Sequence, residues 1–429
     1  MGALSLVTLL LGAGRELLIA RDLQASGDAD IFFRGLVAVA TVRACSLAVY
    51  RARWIPADAR VPTAVLLRQG ARSASLVGLV GVVALLPLIG PRDLLAAAAE
   101  PAQALALAAL AVAAFLAAWA GHLRALAERR GRDLRGFGVD WGLALGTIAG
   151  TLALSDRGAL GPSLGLLCGL GIGVFMLWPR QTGRPAAVAG PARDKSTEEA
   201  GCLEEQAGRR PLWLLLDALL YGNLGVVDSL FSHLLVAGSL AVLSYAGLFV
   251  NSALMLLTGA VTVVALRIAA TPKKQATGET EKLETLEKPE STEQEKKLRL
   301  SMRRWALLGG LAVCFGLATI GLLLGWSPVA SGIQGLLGWD LAASIRPVVL
   351  WSLPYAFLRL ANTIGRQERL VRGELRAVIV WDLAGLVARL LLLALAIGPL
   401  GLVAFPLAAA LAEALQLMVW WRAPESARV

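Results

Sequence analysis

The sequence predicts an all-α polytopic membrane protein, with about twelve transmembrane helices in two sets of six. Three observations lead there. Of 429 residues, 57% are hydrophobic and only 17% are charged, where a water-soluble chain carries about 25% charged residues. The apolar residues fall into runs of about 18–25, the length a helix needs to cross the hydrocarbon. The arginines alternate between rich and poor loops along the chain, as the positive-inside rule requires.

The first span is expected near 3–20. It has no basic leader, and Arg15 and Glu16 stand where a cleavage site would be, so it reads as a retained helix and not as a signal peptide. Spans near 29–50, 73–90, 102–120, 137–154 and 160–178 complete an N-terminal lobe over 1–179. A Pro/Gly/charged linker covers 180–210. The C-terminal lobe, 211–429, has spans near 211–236, 239–268, 304–325, 346–365, 378–397 and 400–421, interrupted by a Lys/Glu-rich polar loop at 271–302.

Loop charge orients these spans. Arginines collect at Arg51, Arg53, Arg60, Arg68 and Arg72, then at Arg124, Arg129, Arg130, Arg132 and Arg135, then in both polar linkers, and finally at Arg366, Arg369, Arg372 and Arg376. The intervening loops hold little beyond Arg21, Arg92 and Arg157. Both termini are therefore expected to be cytoplasmic, which needs an even number of spans. The net charge of +10 belongs to these flanking loops and not to a nucleic-acid surface. Cys45, Cys168, Cys202 and Cys314 show no CxxC or zinc spacing, so neither a disulfide framework nor a metal site is expected.

Two spans carry glycines at every fourth position: Gly142, Gly146 and Gly150 in the fifth, and Gly165, Gly169 and Gly173 in the sixth. That spacing puts each set on one helix face and permits close helix approach. Gly169, Gly171 and Gly173 follow no strand, so packing explains them better than a nucleotide loop does.

Ionisable residues within spans are costly and usually face a bundle interior or a wet cavity. Arg15 and Glu16 lie in span one, and Asp30, Arg34 and Arg43 in span two. Asp217, Asp228 and His233 lie in span seven, Asp382 and Arg389 in span eleven, and Glu413 in span twelve. Arg34 follows Asp30 by four residues, so the two can pair on one face. Arg43 follows Arg34 by nine, about 180° around a straight helix, so both share a cavity only if the helix bends. Asp217 and Asp228 fall within about 20° of each other, a stripe suited to a cation or proton path. His233, near a helix end, reads as interfacial. The basic groups gather in the first lobe and most of the acids in the second, as expected for an anionic headgroup and a driving cation. No Walker motif, nucleophile constellation or acid/base pair points to an ATPase or an enzyme.

The stretch "GRELLIARDLQASGDADIFFRG" resembles the opening of the lipid II flippase (MurJ/MviN) family of the MOP transporter superfamily, and "VVDSLFSHLLVAGSLAVLSYAGLFVNSALMLLTGAVTVV" is similar to its seventh and eighth helices. The resemblance covers about 14–50 and 222–270, and more weakly 345–421. It implies a flippase for a polyprenyl-diphosphate-linked saccharide, lipid II or a related envelope precursor, working by alternating access in the bacterial inner membrane.

The resemblance implies two six-helix lobes with pseudo-two-fold symmetry, and carried over by position it puts the family's cavity residues at Arg15, Asp30 and Arg43. Arg34, paired with Asp30 by its spacing, is expected to act as a gate element beside them. The resemblance puts ion coupling at Asp228 and Asp382, with Asp217 joining them by the face it shares with Asp228. The expected drive is sodium, protons or membrane potential, with no cofactor. Partners would be the lipid-linked diphosphate saccharide, membrane lipids and envelope-synthesis proteins. Two features depart from the family: Leu248 replaces an eighth-helix arginine, and the chain stops after twelve spans. Two alternatives remain, a drug/cation antiporter of the same superfamily and a non-transporting scaffold for envelope assembly.

Overall fold

The computed structural model describes residues 2–54, 63–130, 134–178, 216, 219–220, 224–270, 307–371 and 374–422. Among these, all regular structure is helical. In chain order the helices are α1 (Gly2–Asp22), α2 (Gly27–Trp54), α3 (Thr63–Leu85), α4 (Pro91–Ala99), α5 (Pro101–Arg129), α6 (Leu134–Ala153), α7 (Leu160–Leu177), α8 (Leu224–Ser232) and α9 (Ser239–Ala270). After them come α10 (Leu307–Leu324), α11 (Ser327–Leu337), α12 (Leu341–Trp351), α13 (Leu353–Val371), α14 (Leu375–Leu400) and α15 (Ala404–Arg422).

The chain forms two compact units, one of residues 1–245 with 335–341, the other of 246–334 with 342–429. The break falls inside α9, between Tyr245 and Ala246. The linker expected over 180–210 and the polar loop at 271–302 lie outside the described residues.

In the first unit α5 is the central post, packed against α2, α3 and α7. Pro101 opens it, at a position where the missing N–H costs nothing. Its buried face is a run of alanines, among them Ala106, Ala109, Ala113, Ala117 and Ala120, small enough to admit a neighbouring backbone. On that face Ser46 Oγ of α2 donates to Ala118 O at 2.6 Å, and a methyl on Gly121 would lie 2.8 Å from the Leu47 amide nitrogen.

Helices α6 and α7 meet through their glycines, and the two ladders face one another in antiparallel order. Gly142 lies against Gly169, Gly146 against Gly165, and Gly150 against Gly161. A Cβ at Gly142 would stand 2.6 Å from the Gly169 carbonyl oxygen, and those at Gly146, Gly165 and Gly169 would be closer still to backbone. Gly173 continues the seam against Val139. Gly171, one step off it, has nothing within 4 Å.

In the second unit α13 packs on α15, α14 packs on α15, and α10 lies along α12 and α13, with Gly310 against Phe357 and Gly321 against Leu350.

Several boundaries differ from the sequence expectation. Among the described residues six stretches are long and apolar enough to cross a membrane, or seven if a bent pair is one span. One of these, Leu375–Met418, contains both α14 and most of α15, so span eleven and span twelve are counted together. Helix α1 (21 residues) and helix α6 (20 residues) have the length but lie outside that set. Five glycines dilute α6.

Span ten is broken: α12 and α13 meet at Ser352 with a 47° bend, one residue before the sequence Leu353–Pro354. Of span seven the structure describes a helix only over Leu224–Ser232, with isolated residues before it. Arg68 and Arg72, expected in a loop, lie on α3, and Arg366 and Arg369 lie on α13. These helices run on past the apolar stretch, so their charged ends read as loops in the sequence.

Candidate functional site

Each intramembrane charge expected from the sequence and described in the structure has a definable setting. On α1, Arg15 pairs with its neighbour Glu16, and their side chains keep 17% and 10% of their surface. Arg15 Nε and Glu16 Oε2 are buried and make no hydrogen bond among the described residues.

At the start of α2, Ser26 Oγ accepts the Ala29 amide at 3.2 Å and caps the helix. Asp30, one turn in, reaches across to the first turn of α9: its two oxygens accept the amides of Gly238 and Ala241, each at 2.8 Å. A carboxylate there satisfies two of the donors that a helix start leaves open and complements its dipole. Gly238 has φ +88° and abuts the Ala25 carbonyl, a backbone state and a clearance that only glycine combines.

Arg34 lies between two acids, Asp30 at 3.7 Å and Asp93 of α4, to which it donates a short hydrogen bond. Asp93 also accepts the Gly90 amide at 2.9 Å. All three side chains are under a tenth exposed. Around them Phe33 meets Tyr245 edge-on, the Tyr245 hydroxyl donates to Gln24 O at 3.0 Å, and Trp339 Nε1 donates to Ala20 O at 2.7 Å. The two stretches that carried the family resemblance are thus the two sides of one buried joint.

Arg43 turns elsewhere. Its guanidinium lies 2.6 Å from Asp140 of α6, and Asp140 also accepts from Arg124 of α5 at 3.3 Å. Arg124 reaches Glu128 at 3.3 Å, and Glu128 takes a two-pronged bond from Arg51 of α2, both distances 2.5 Å. Arg34 and Arg43 therefore face different helices, as their 180° separation implies.

In the second unit α13 presents Arg359, Asn362, Thr363 and Arg366 on one face. Arg359 pairs with Glu413 of α15 at 2.7 Å, and Asn362 donates to the Glu413 carboxylate at 2.6 Å and to its carbonyl at 2.7 Å. Arg366 Nε donates to Asp382 of α14 at 3.3 Å, and Arg389 is buried on the same helix.

This revises the expected division between a basic first lobe and an acidic second. In the first unit, Arg15, Arg34, Arg43, Arg51 and Arg124 are matched by Glu16, Asp30, Asp93, Asp140 and Glu128. In the second, Arg359, Arg366 and Arg389 accompany Asp382 and Glu413. Asp382, the candidate sodium ligand, has a guanidinium as its neighbour, a poor setting for a cation.

Asp217 lies outside the described residues. Asp228 is half-buried on α8. Among the described residues no group of three His, Cys, Asp or Glu could hold a metal ion. His233, expected as interfacial, has Nε2 2.9 Å from the Leu88 carbonyl, and Gly90 leaves room for its ring.

The sequence reading missed Asp93, Asp140, Arg124 and Glu128. The Arg124–Glu128 pair had a signal, its i,i+4 spacing. Asp93 had none, because its partner is 59 residues away. The stripe Arg359, Asn362, Thr363 and Arg366, at i, i+3, i+4 and i+7, was legible as a polar helix face.

No family model matches the chain, and no curated protein matches it in sequence. Solved structures do match. The lipid II flippase MurJ in an inward closed conformation aligns with TM-score 0.67 at 12% identity, over 98% of this chain and 86% of its own. An inward-facing multidrug resistance MATE family transporter of the MOP superfamily aligns with TM-score 0.63 at 14% identity, over 96% and 93%. A variant of the Vibrio cholerae MATE transporter VcmN aligns with TM-score 0.53 at 13% identity, over 96% and 92%. The chain thus has the fold of MOP-superfamily transporters and is a multi-pass membrane protein.

Proposed function

We propose that this chain is a MOP-type transporter that moves a polyprenyl-diphosphate-linked saccharide, lipid II or a related envelope precursor, across the bacterial inner membrane by alternating access. Both termini would be cytoplasmic, and the working partners would be the lipid-linked substrate, membrane lipids and envelope-synthesis proteins. The fold supports the transporter class. The observation that carries the anionic substrate is the contrast among three arginines: Arg34 keeps 6% of its side-chain surface, whereas Arg15 keeps 17% and Arg43 25%. Arg15 and Arg43 are thus the two arginines from the resemblance that a headgroup could still reach. Asp30 and Arg34 belong to the frame, holding the α1–α2 turn to the start of α9.

Coupling to sodium, protons or membrane potential is part of the same proposal. Asp228 is the described acid to test for it, with Asp217 eleven residues before it in sequence. A transporter of this kind moves only if the ligand favours one state over another.

The test is binding of a polyprenyl diphosphate to the purified chain, and its translocation in proteoliposomes, for the parent, Arg15→Ala and Arg43→Ala. Loss of both activities in both variants supports the reading. A parent that binds no diphosphate overturns it, as do variants that bind and translocate like the parent.

The scaffold reading has one observation in its favour: Arg15, Arg34 and Arg43 each already have a protein counter-ion. It predicts a parent that moves no lipid and charge substitutions that leave partner capture intact. The cation antiporter predicts transport of hydrophobic cations that is indifferent to Arg15 and Arg43.

A further inference from the structure

The charge chain Arg43–Asp140–Arg124–Glu128–Arg51 draws on three helices of the first unit, and it is not electrically balanced. Three guanidiniums share two carboxylates, which leaves an excess of one positive charge within the cluster. The side chains are partly open, 25% at Arg43, 23% at Arg124, 45% at Arg51, 19% at Asp140 and 14% at Glu128. Arg43 Nη1 is buried and, although 2.6 Å from Asp140, makes no hydrogen bond among the described residues. Asp140 is divided between two arginines, and its hydrogen bond from Arg124 is long, 3.3 Å. Gly136 keeps the approach to Arg124 clear, since a Cβ there would sit 3.0 Å from Nε.

Arginines placed in or near the hydrocarbon need counter-charge when no ligand is present. A guanidinium fork also binds the paired oxygens of a phosphate better than one shared carboxylate. We propose that Arg43, Arg124 and Arg51 form a diphosphate-binding site in which Asp140 and Glu128 stand in for the ligand while it is empty. The proposal rests on the reading that this chain carries a lipid-linked diphosphate. It adds Arg124 and Arg51 as ligands and gives the two acids a defined role: each competes with the substrate. A diphosphate entering the cluster displaces Asp140, which swings to water through its open edge, and gains aligned donors from Arg43 and Arg124. On release the acid returns and restores the counter-charge, so the unloaded site does not hold its product.

The sign of one substitution separates this role from a purely structural network. If Asp140 competes with the ligand, its removal tightens binding. If the network only braces the helices, its removal loosens the fold and weakens binding. The experiment uses the full chain in detergent, with inorganic pyrophosphate, farnesyl diphosphate and farnesol as probes, titrated by calorimetry and followed by thermal unfolding.

Asp140→Asn is expected to bind both diphosphates about ten-fold more tightly, and Arg124→Gln about ten-fold more weakly, the scale of one charge-assisted hydrogen bond. Arg124→Lys, which keeps the charge and loses the fork, falls between. Arg157→Gln, exposed and past the opposite end of α6 from Asp140, matches the parent. Glu128→Gln repeats the test should Asp140→Asn fail to fold, with the same expected gain.

Farnesyl diphosphate binding more tightly than pyrophosphate marks a lipid headgroup as the ligand, and equal binding marks free phosphate; either supports the site. Diphosphate binding that depends on Arg15 but is unchanged in Arg124→Gln and Asp140→Asn overturns this inference and leaves the proposed function standing. A parent that binds neither diphosphate overturns both.

Discussion

Arg34 shows how a charge deep in an apolar chain becomes tolerable. It is enclosed by Asp30 and Asp93, and Asp30 in turn holds two backbone amides of α9. Removing one partner of such a buried pair strands the other and typically costs about 3–5 kcal/mol, far more than the pair itself contributes. Arg34→Met and Asp93→Leu should each lower the unfolding midpoint in detergent strongly. The double variant should recover much of the loss, and a cycle with strictly additive losses would refute the pairing. Asp30→Asn tests the cap separately. An asparagine has only one acceptor oxygen, so one of the two amides loses its partner, at a cost of about 1–3 kcal/mol. Hydrogen exchange should quicken at Gly238 or Ala241 and not along α5.

Helices here are positioned by what they lack as much as by what they carry. The α6–α7 seam brings backbone to backbone at three glycine pairs, where dispersion and close carbonyl approach replace the hydrophobic drive that lipid does not supply. Gly165→Ala puts a methyl into the Gly146 carbonyl and should destabilise the chain by about 1–3 kcal/mol, the usual penalty for overpacking. Gly171→Ala faces open space and should be neutral, or stabilising through helix propensity by up to about 1 kcal/mol. Equal midpoints for the two variants would show that the seam is not as close as described. The break between α12 and α13 belongs to this scale too. Ser352 bonds back to the Val348 carbonyl at 2.6 Å beside the 47° bend, a hydroxyl offering the backbone an alternative to the regular ladder.

For the whole molecule, the alternation of arginine-rich and arginine-poor loops predicts that both termini and the segments 180–210 and 271–302 share one side of the membrane. Single cysteines placed in each should react with an impermeant thiol reagent from the cytoplasmic side only; one that labels from outside would break the span count at that point. Long apolar runs, glycine spacing and loop charge were legible in the sequence because bilayer thickness, helix pitch and translocation act on consecutive residues. On those grounds the class of protein, the two glycine ladders and the Asp30–Arg34 pair could be read directly. The meeting of the two ladders, the capture of Arg34 by Asp93 and of Arg43 by Asp140, and the pairing of Arg359 with Glu413 and of Arg366 with Asp382 could not. Those depend on which helix neighbours which, and partners 59 residues apart leave no periodic trace. The sequence by itself determined that charges would be carried into the membrane. Only the tertiary structure decided which of them cancel, because a guanidinium's effective charge depends on the carboxylate within its reach and not on its place in the chain.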